Sequence, residues 1–218
     1  MELIRLAKKG DVEGVKCIVE NTTFEEAEKR KAMRSASKKG HLSVICFLVK
    51  KWNFNIHTKN EQSLRSACRR GHLEVVRYFV LEKRANVHVC HETPLQVASR
   101  NGHLNVVKFL VEECGADVQE NHGGVFMEAC EHGHVHVLKY LLDDMKLDAH
   151  QWQSEMLKGA ASHKQFEILE FFLQSAYITG SETRIALKKS IEAKDVSFLK
   201  THVREMVAGR VFVSFTTI

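Results

Sequence analysis

One sentence of sequence recurs along the chain at a fixed step. Ala98 to Val111 reads Ala, three residues, Gly-His, an apolar residue, a polar residue, then Val-Val-Lys-Phe-Leu-Val. Ala67 to Val80 repeats it, as do Ala36 to Val49 and Ala129 to Leu142. The glycines of the four copies are Gly40, Gly71, Gly102 and Gly133, each 31 residues after the last. A period between about 20 and 50 residues marks an array of stacked supersecondary units. Such a unit cannot bury its apolar face alone, so neighbours must stack to form one continuous core.

Each copy predicts two short helices. In the copy containing Thr93-Pro94-Leu95, Thr suits a helix N-cap and Pro the first helical position. Gly102 can take the left-handed conformation that closes the first helix. A second helix is expected from Leu104 or Asn105 to about Glu113, with Val106, Val107, Leu110 and Val111 on one broad apolar face. Columns in register test the period. One reads Phe47, Tyr78, Phe109, Tyr140, Phe171; the next reads Leu48, Phe79, Leu110, Leu141, Phe172; a third reads Val44, Val75, Val106, Val137, Ile168. Aromatic residues at this spacing belong to the inter-repeat core. The ends degrade as caps should. Residues 20–32 hold no Gly or Pro, and Thr23 with Glu26 spells a capping box, so this connection is expected to be helical. A later copy has Lys164 in place of Gly, and the pattern fades near Val203. Residues 206–218, ending Val-Phe-Val-Ser-Phe-Thr-Thr-Ile, do not fit the array and read as a strand or a tail.

Thr-Pro-Leu-x-x-Ala, Gly-His-x-x-Val-Val-x-x-Leu and Gly-Ala-Asp-Val, all present between 93 and 118, resemble the ankyrin repeat. The resemblance covers about 1–205 and is strongest over 33–150. It implies an all-α ankyrin-repeat solenoid of helix-turn-helix units, about six to seven in number, with degenerate caps. The period falls short of the family's usual length of about 33. The missing residues lie between Val87 and Pro94, where the family's β-hairpin finger projects, so short finger loops are expected. Short-period arrays of this kind are similar to ones in microbial and large-virus proteins, which extends the expected setting to a host cell.

Composition bounds the function. With 44% hydrophobic and 27% charged residues the chain reads as globular. No stretch approaches ~18 uncharged apolar residues, so no transmembrane helix is expected. The apolar run near Met1 is too short for a secretion signal. A monomeric intracellular protein, cytoplasmic or nuclear, is the expectation. The six cysteines fit a reducing compartment, since Cys68 and Cys130 hold a small-residue helix position filled elsewhere by Ser37, Ser99 and Ala161. Phosphate-loop, nucleophile-elbow, zinc-protease and dinucleotide-binding motifs are all absent from the sequence, so no enzyme activity and no cofactor is expected.

The charge is uneven. Residues 1–100 carry 20 Lys/Arg against 11 Asp/Glu, net +9, whereas 101–218 carry 12 against 16, net −4. The excess follows the repeat register. The two residues before each glycine read Lys8-Lys9, Lys38-Lys39, Arg69-Arg70, Arg100-Asn101, and only then Glu131-His132 and Ser162-His163. One turn earlier stand Arg34 and Arg65. In the resembled fold this helix end lines the concave face and is a usual contact position. Two readings stand side by side: a solvated charged edge, or a docking ridge made of Lys8, Lys9, Arg34, Lys38, Lys39, Arg65, Arg69, Arg70, Arg100 and Asn101. As a ridge it calls for an acidic protein segment, which makes the chain a non-catalytic protein–protein interaction scaffold. The alternatives are a nucleic-acid or polyanion binder, for which a basic stripe is the right footprint, and a substrate-adaptor arm of a larger complex such as a ubiquitin ligase. Interleaved aromatics for base stacking are missing from the ridge.

The histidines are expected to be structural. His41, His72, His103 and His134 follow the repeated glycines, a family position where the ring bonds nearby backbone. His132, His134 and His136 form a metal-like cluster but one member belongs to the fold, and no fourth ligand is near in sequence. His57, His88 and His150 share a finger column, with Cys90 and His91 beside His88. No metal site is assigned.

Overall fold

The computed structural model describes residues 1–57, 61–147, 150–175, 180–197, 199–201 and 203. Regular structure among the described residues is helical throughout. The chain divides into two compact units, 1–118 and 119–218. No helix among the described residues is long and apolar enough to cross a membrane.

The N-terminal unit holds α1 (Glu2–Lys9), α2 (Val12–Asn21), α3 (Glu26–Lys39), α4 (Leu42–Trp52), α5 (Gln62–Cys68), α6 (Leu73–Arg77), α7 (Val89–Arg100) and α8 (Leu104–Lys108). The first helices stack in a row, α1 on α3, α3 on α5 and α5 on α7, while α2 packs on α4 and α6 on α8. Each first helix is stopped by the residue the sequence repeats. At Gly71 φ is +72° and at Gly102 it is +70°, a region that costs an L side chain about 1–2 kcal/mol. After each glycine the next amide reaches back to close the helix: His103 N donates to Ala98 O at 3.0 Å.

The second helices run as far as their apolar faces do. α6 and α8 continue through Tyr78–Glu82 and Phe109–Glu113, wound in a wider five-residue turn. Lys83 N donates to Tyr78 O at 3.2 Å, and Ala116 N reaches Leu110 O at 2.9 Å. Two of the core columns are fully buried, while in the aromatic column Phe47 is half-buried and Tyr78 and Phe109 are buried. Leu48, Phe79 and Leu110 are fully enclosed, and so are Val44, Val75 and Val106. Burying such a side chain contributes about 1.5–3 kcal/mol, and it requires the neighbouring repeat.

Two local expectations are corrected. Thr23 does not cap α3. The flanking residue is Glu25, without a side-chain cap bond, and the helix extends back from Lys39 to Glu26 after a short turn. Thr93 does not accept at its helix N-terminus either; its hydroxyl donates backward to Cys90 O at 2.6 Å. Cys90, His91 and Glu92 all have positive φ, so the right-handed part of α7 begins only after a left-handed turn. That turn stands where a hairpin finger would project.

The C-terminal unit holds α9 (Glu120–His132), α10 (Val135–Lys139), α11 (Gln153–Ser162), α12 (Phe166–Gln174) and α13 (Ser181–Ala193). α9 packs on α11, α10 on α12 and α12 on α13. A left-handed turn at Asn121, His122 and Gly123 again opens the first helix. Phe126 stacks on Trp152 with ring centroids 5.4 Å apart. Lys164, the residue in the glycine column, takes φ +56° despite its side chain. Val196, Leu199 and Val203 are buried beyond α13. The 206–218 tail and the His150 side chain lie outside the described residues.

Candidate functional site

The C-terminal ends of α1, α3 and α5 carry the basic column, and the fold fixes them through the backbone. His41 Nε2 lies 3.1 Å from Lys8 O, His72 Nε2 3.1 Å from Lys38 O, and His103 Nε2 3.0 Å from Arg69 O. A carbonyl only accepts, so each Nε2 donates. Each of these three histidines thus ties its repeat to the one before, at a residue of the ridge. The ring also lies against the preceding glycine. A Cβ at Gly40 would sit 2.6 Å from His72, and one at Gly71 would sit 2.5 Å from His103. Glycine is therefore required twice over at Gly71, for its φ and for the ring. In the C-terminal unit Gln165 plays this part, its amide donating to Glu131 O at 2.8 Å.

On this frame the cations gather around two depressions. Arg34, Lys38, Gln62, Arg65, Ser66 and Arg69 line one of about 150 Å³. Lys8, Lys38, Lys39, Arg70 and His72 line the other, of about 450 Å³. Lys38 belongs to both, so the two form one basic surface from α1 across α3 to α5. The predicted residues Lys9, Arg100 and Asn101 line neither. Lys9 and Arg100 are exposed, and Asn101 turns back to donate to Val97 O at 2.8 Å. Gln62, Ser66 and His72 were not picked from the sequence. The first two stand with Arg69 at helical spacing, which is the signal that would have found them. His72 serves the stack and the surface together.

Among the described residues Lys8, Lys9, Arg34, Lys38, Lys39, Arg69 and Arg70 enter no ion pair. Other cations of the same unit do pair: Lys16 with Glu13 at 2.7 Å, Lys29 with Glu26 at 2.8 Å, Arg77 with Glu113 at 2.7 Å, and Arg5 with Glu2. Cations at a helix C-terminus gain about 0.3–1 kcal/mol from the helix dipole. That accounts for Lys8, Lys9, Lys38 and Lys39. It does not reach Arg34, which lies outside the last turn of α3.

Two histidine–carboxylate pairs recur off the ridge. His57 Nδ1 is 2.6 Å from Glu61 Oε1 and His88 Nδ1 is 2.5 Å from Glu92 Oε1, a pair repeated 31 residues on. Both carboxylates are about 4% exposed, and Asn86 N donates to Glu61 Oε1 at 3.1 Å. The His88–Glu92 clasp braces the left-handed turn at Cys90, His91 and Glu92. Among the described residues Glu128, Glu131 and His132 bring potential metal donors within 4.8 Å of one another. His132 is exposed and its Nδ1 donates to Glu128 O at 3.0 Å. All six cysteines are free. Burial pushes the Cys68 and Cys130 thiols well up, and Cys114, half-buried, up to about 11.

Comparison with known proteins places this geometry. The family described as ankyrin repeats, in three copies, matches residues 33–122. The chain is similar to the crystal structure of the human ASB11 ankyrin repeat domain, at 19% identity, covering 83% of this chain and 85% of that one with a TM-score of 0.65. It is also similar to the X-ray structure of an ankyrin repeat family protein from Legionella pneumophila, at 18% identity, covering 99% of this chain and 72% of that one with a TM-score of 0.46. No curated protein matches it.

Proposed function

We propose, on the premise that residues 33–122 are ankyrin repeats, that the chain is a non-catalytic scaffold that docks an acidic protein segment on the ridge from α1 to α5. Ankyrin repeats are in general protein–protein interaction modules. The observation that carries the choice of surface is the set of cations left without carboxylates on a backbone locked by the histidine bonds. Like charges at i and i+4 cost about 0.2–0.5 kcal/mol a pair, and Arg34/Lys38 is such a pair. A solvated edge alone gives no return for that arrangement, whereas an acidic partner converts it into attraction and faster encounter. The resemblance puts this helix end on the concave face, and the partner is proposed to lie there.

The test is capture from nuclease-treated cell lysate by the wild-type chain and by Arg69→Glu/Arg70→Glu. Both side chains are exposed, so the double reversal is expected to leave stability within about 1 kcal/mol. The expected result is an acidic protein retained by the wild type at ~0.15 M salt, where the screening length is about 8 Å, and lost by the reversal. Retention that survives the reversal overturns the choice of face. Capture that nuclease abolishes assigns the ridge to nucleic acid.

A further inference from the structure

We infer that the depression between α3 and α5 is a phosphoryl pocket, taking a phosphoserine or phosphothreonine within the acidic segment. This rests on the docking reading and adds a chemical class to it.

Its walls form a square of cations. Arg34 and Lys38 stand one turn apart on α3, Arg65 and Arg69 one turn apart on α5, and the two pairs are related by the 31-residue repeat. Side chains four apart on a helix start about 5–6 Å from each other, and packed helices lie about 8–10 Å apart. All four line the same depression of about 150 Å³, with Arg65 already holding a contact of its own within the protein.

The charge count selects the ligand. A carboxylate brings one negative charge and two oxygens. A phosphate monoester brings about −1.5 to −2 and three strong acceptors, and a planar guanidinium meets two of them at once. Arg34, Lys38 and Arg69 enter no ion pair among the described residues. The lining adds the Gln62 side chain as a neutral donor, while the Ser66 hydroxyl is committed to Gln62 O at 2.7 Å. No apolar or aromatic side chain lines the depression. It offers nothing for a nucleobase or a tyrosine ring to stack on. Nucleic-acid phosphates are diesters with one charge each, spread along a strand, and match a single focus of four cations less well than a dianion.

The test uses the full chain and three synthetic glutamate-rich peptides that differ at one central residue: phosphoserine, serine or glutamate. Titration calorimetry is expected to give the phosphopeptide an affinity about tenfold or more above both twins. Arg65→Gln/Arg69→Gln should reduce the phosphopeptide to the level of the glutamate twin, and Lys50→Gln/Lys51→Gln, on α4 and off the ridge, should keep the gain. Because Arg65 is half-buried, Arg69→Gln alone is run beside the double variant. Equal binding of the three peptides overturns the phosphoryl pocket and leaves acidic docking standing. Failure of all three to bind overturns both. A DNA duplex that displaces the phosphopeptide, and whose own affinity falls equally in the Gln variants, gives the depression to a nucleic-acid backbone and overturns the inference.

Discussion

Replacing Gly71 with Ala tests whether the histidine–glycine contact holds the array together. Two costs are expected. The first is conformational: φ at Gly71 is +72°, and an L residue there loses about 1–2 kcal/mol. The second is steric. The new Cβ would fall 2.5 Å from His103 Nδ1, so the ring must move and its 3.0 Å bond to Arg69 O is lost or weakened. A hydrogen bond of this kind contributes about 0.5–1.5 kcal/mol net. Together the change should cost about 1.5–3.5 kcal/mol. Gly115 supplies the internal control. Its φ is +69°, yet a Cβ there meets nothing within 4 Å, so Gly115→Ala should cost only the conformational part, about 1–2 kcal/mol. Urea denaturation followed by far-UV circular dichroism measures both, with the slope checked for constancy because repeat arrays lose two-state behaviour readily. His103→Gln should rescue part of the function of the ring, since Gln165 makes the equivalent bond in the C-terminal unit. If Gly71→Ala costs no more than Gly115→Ala, the close approach is not a structural constraint and the reasoning fails.

Thiol labelling at pH 8 should modify exposed Cys17 and Cys90 first, Cys114 slowly, and Cys68 and Cys130 only on unfolding. The thiolate is the reactive form, and burial raises the last three thiols so that little thiolate exists at that pH. Equal rates for Cys17 and Cys68 in the folded chain would contradict the burial. His88→Ala strips the side-chain partner from a carboxylate that is 4% exposed and should cost about 1–3 kcal/mol in the same urea assay; a neutral result would mean the clasp is incidental.

The parts of the fold legible in the sequence are those that depend on periodicity. The 31-residue step placed Phe79 and Leu110 in the core, paired the helices, and put Arg34 over Arg65 and Lys38 over Arg69. The left-handed turn at Cys90, His91 and Glu92 was not legible. Three consecutive non-glycine residues at positive φ contradict local propensity; the Glu92 clasp with His88 and the bonds from Thr93 and Gln96 to the Cys90 and His91 carbonyls help to hold them. The clasps left a trace, His57/Glu61 and His88/Glu92 at i and i+4, one repeat apart, which shows only when the carboxylates are set beside the histidines. Thr23 misled because a capping box is a local signal, whereas α3, which packs on α1, begins only at Glu26 and without a side-chain cap. At the candidate site the cations were legible because they share a column. Gln62 and Ser66 were not, since two neutral residues acquire meaning only from the depression they line.

The most direct measurement is a backbone and arginine Nε NMR titration of the full chain with a glutamate-rich peptide. Docking on the ridge predicts perturbations centred on Lys38, Arg65, Arg69 and Arg70, with the His72 and His103 amides following because their rings hold the ridge backbone. Perturbations centred instead on Lys50, Lys51 and Lys83, cations of the second helices and loops, would contradict it.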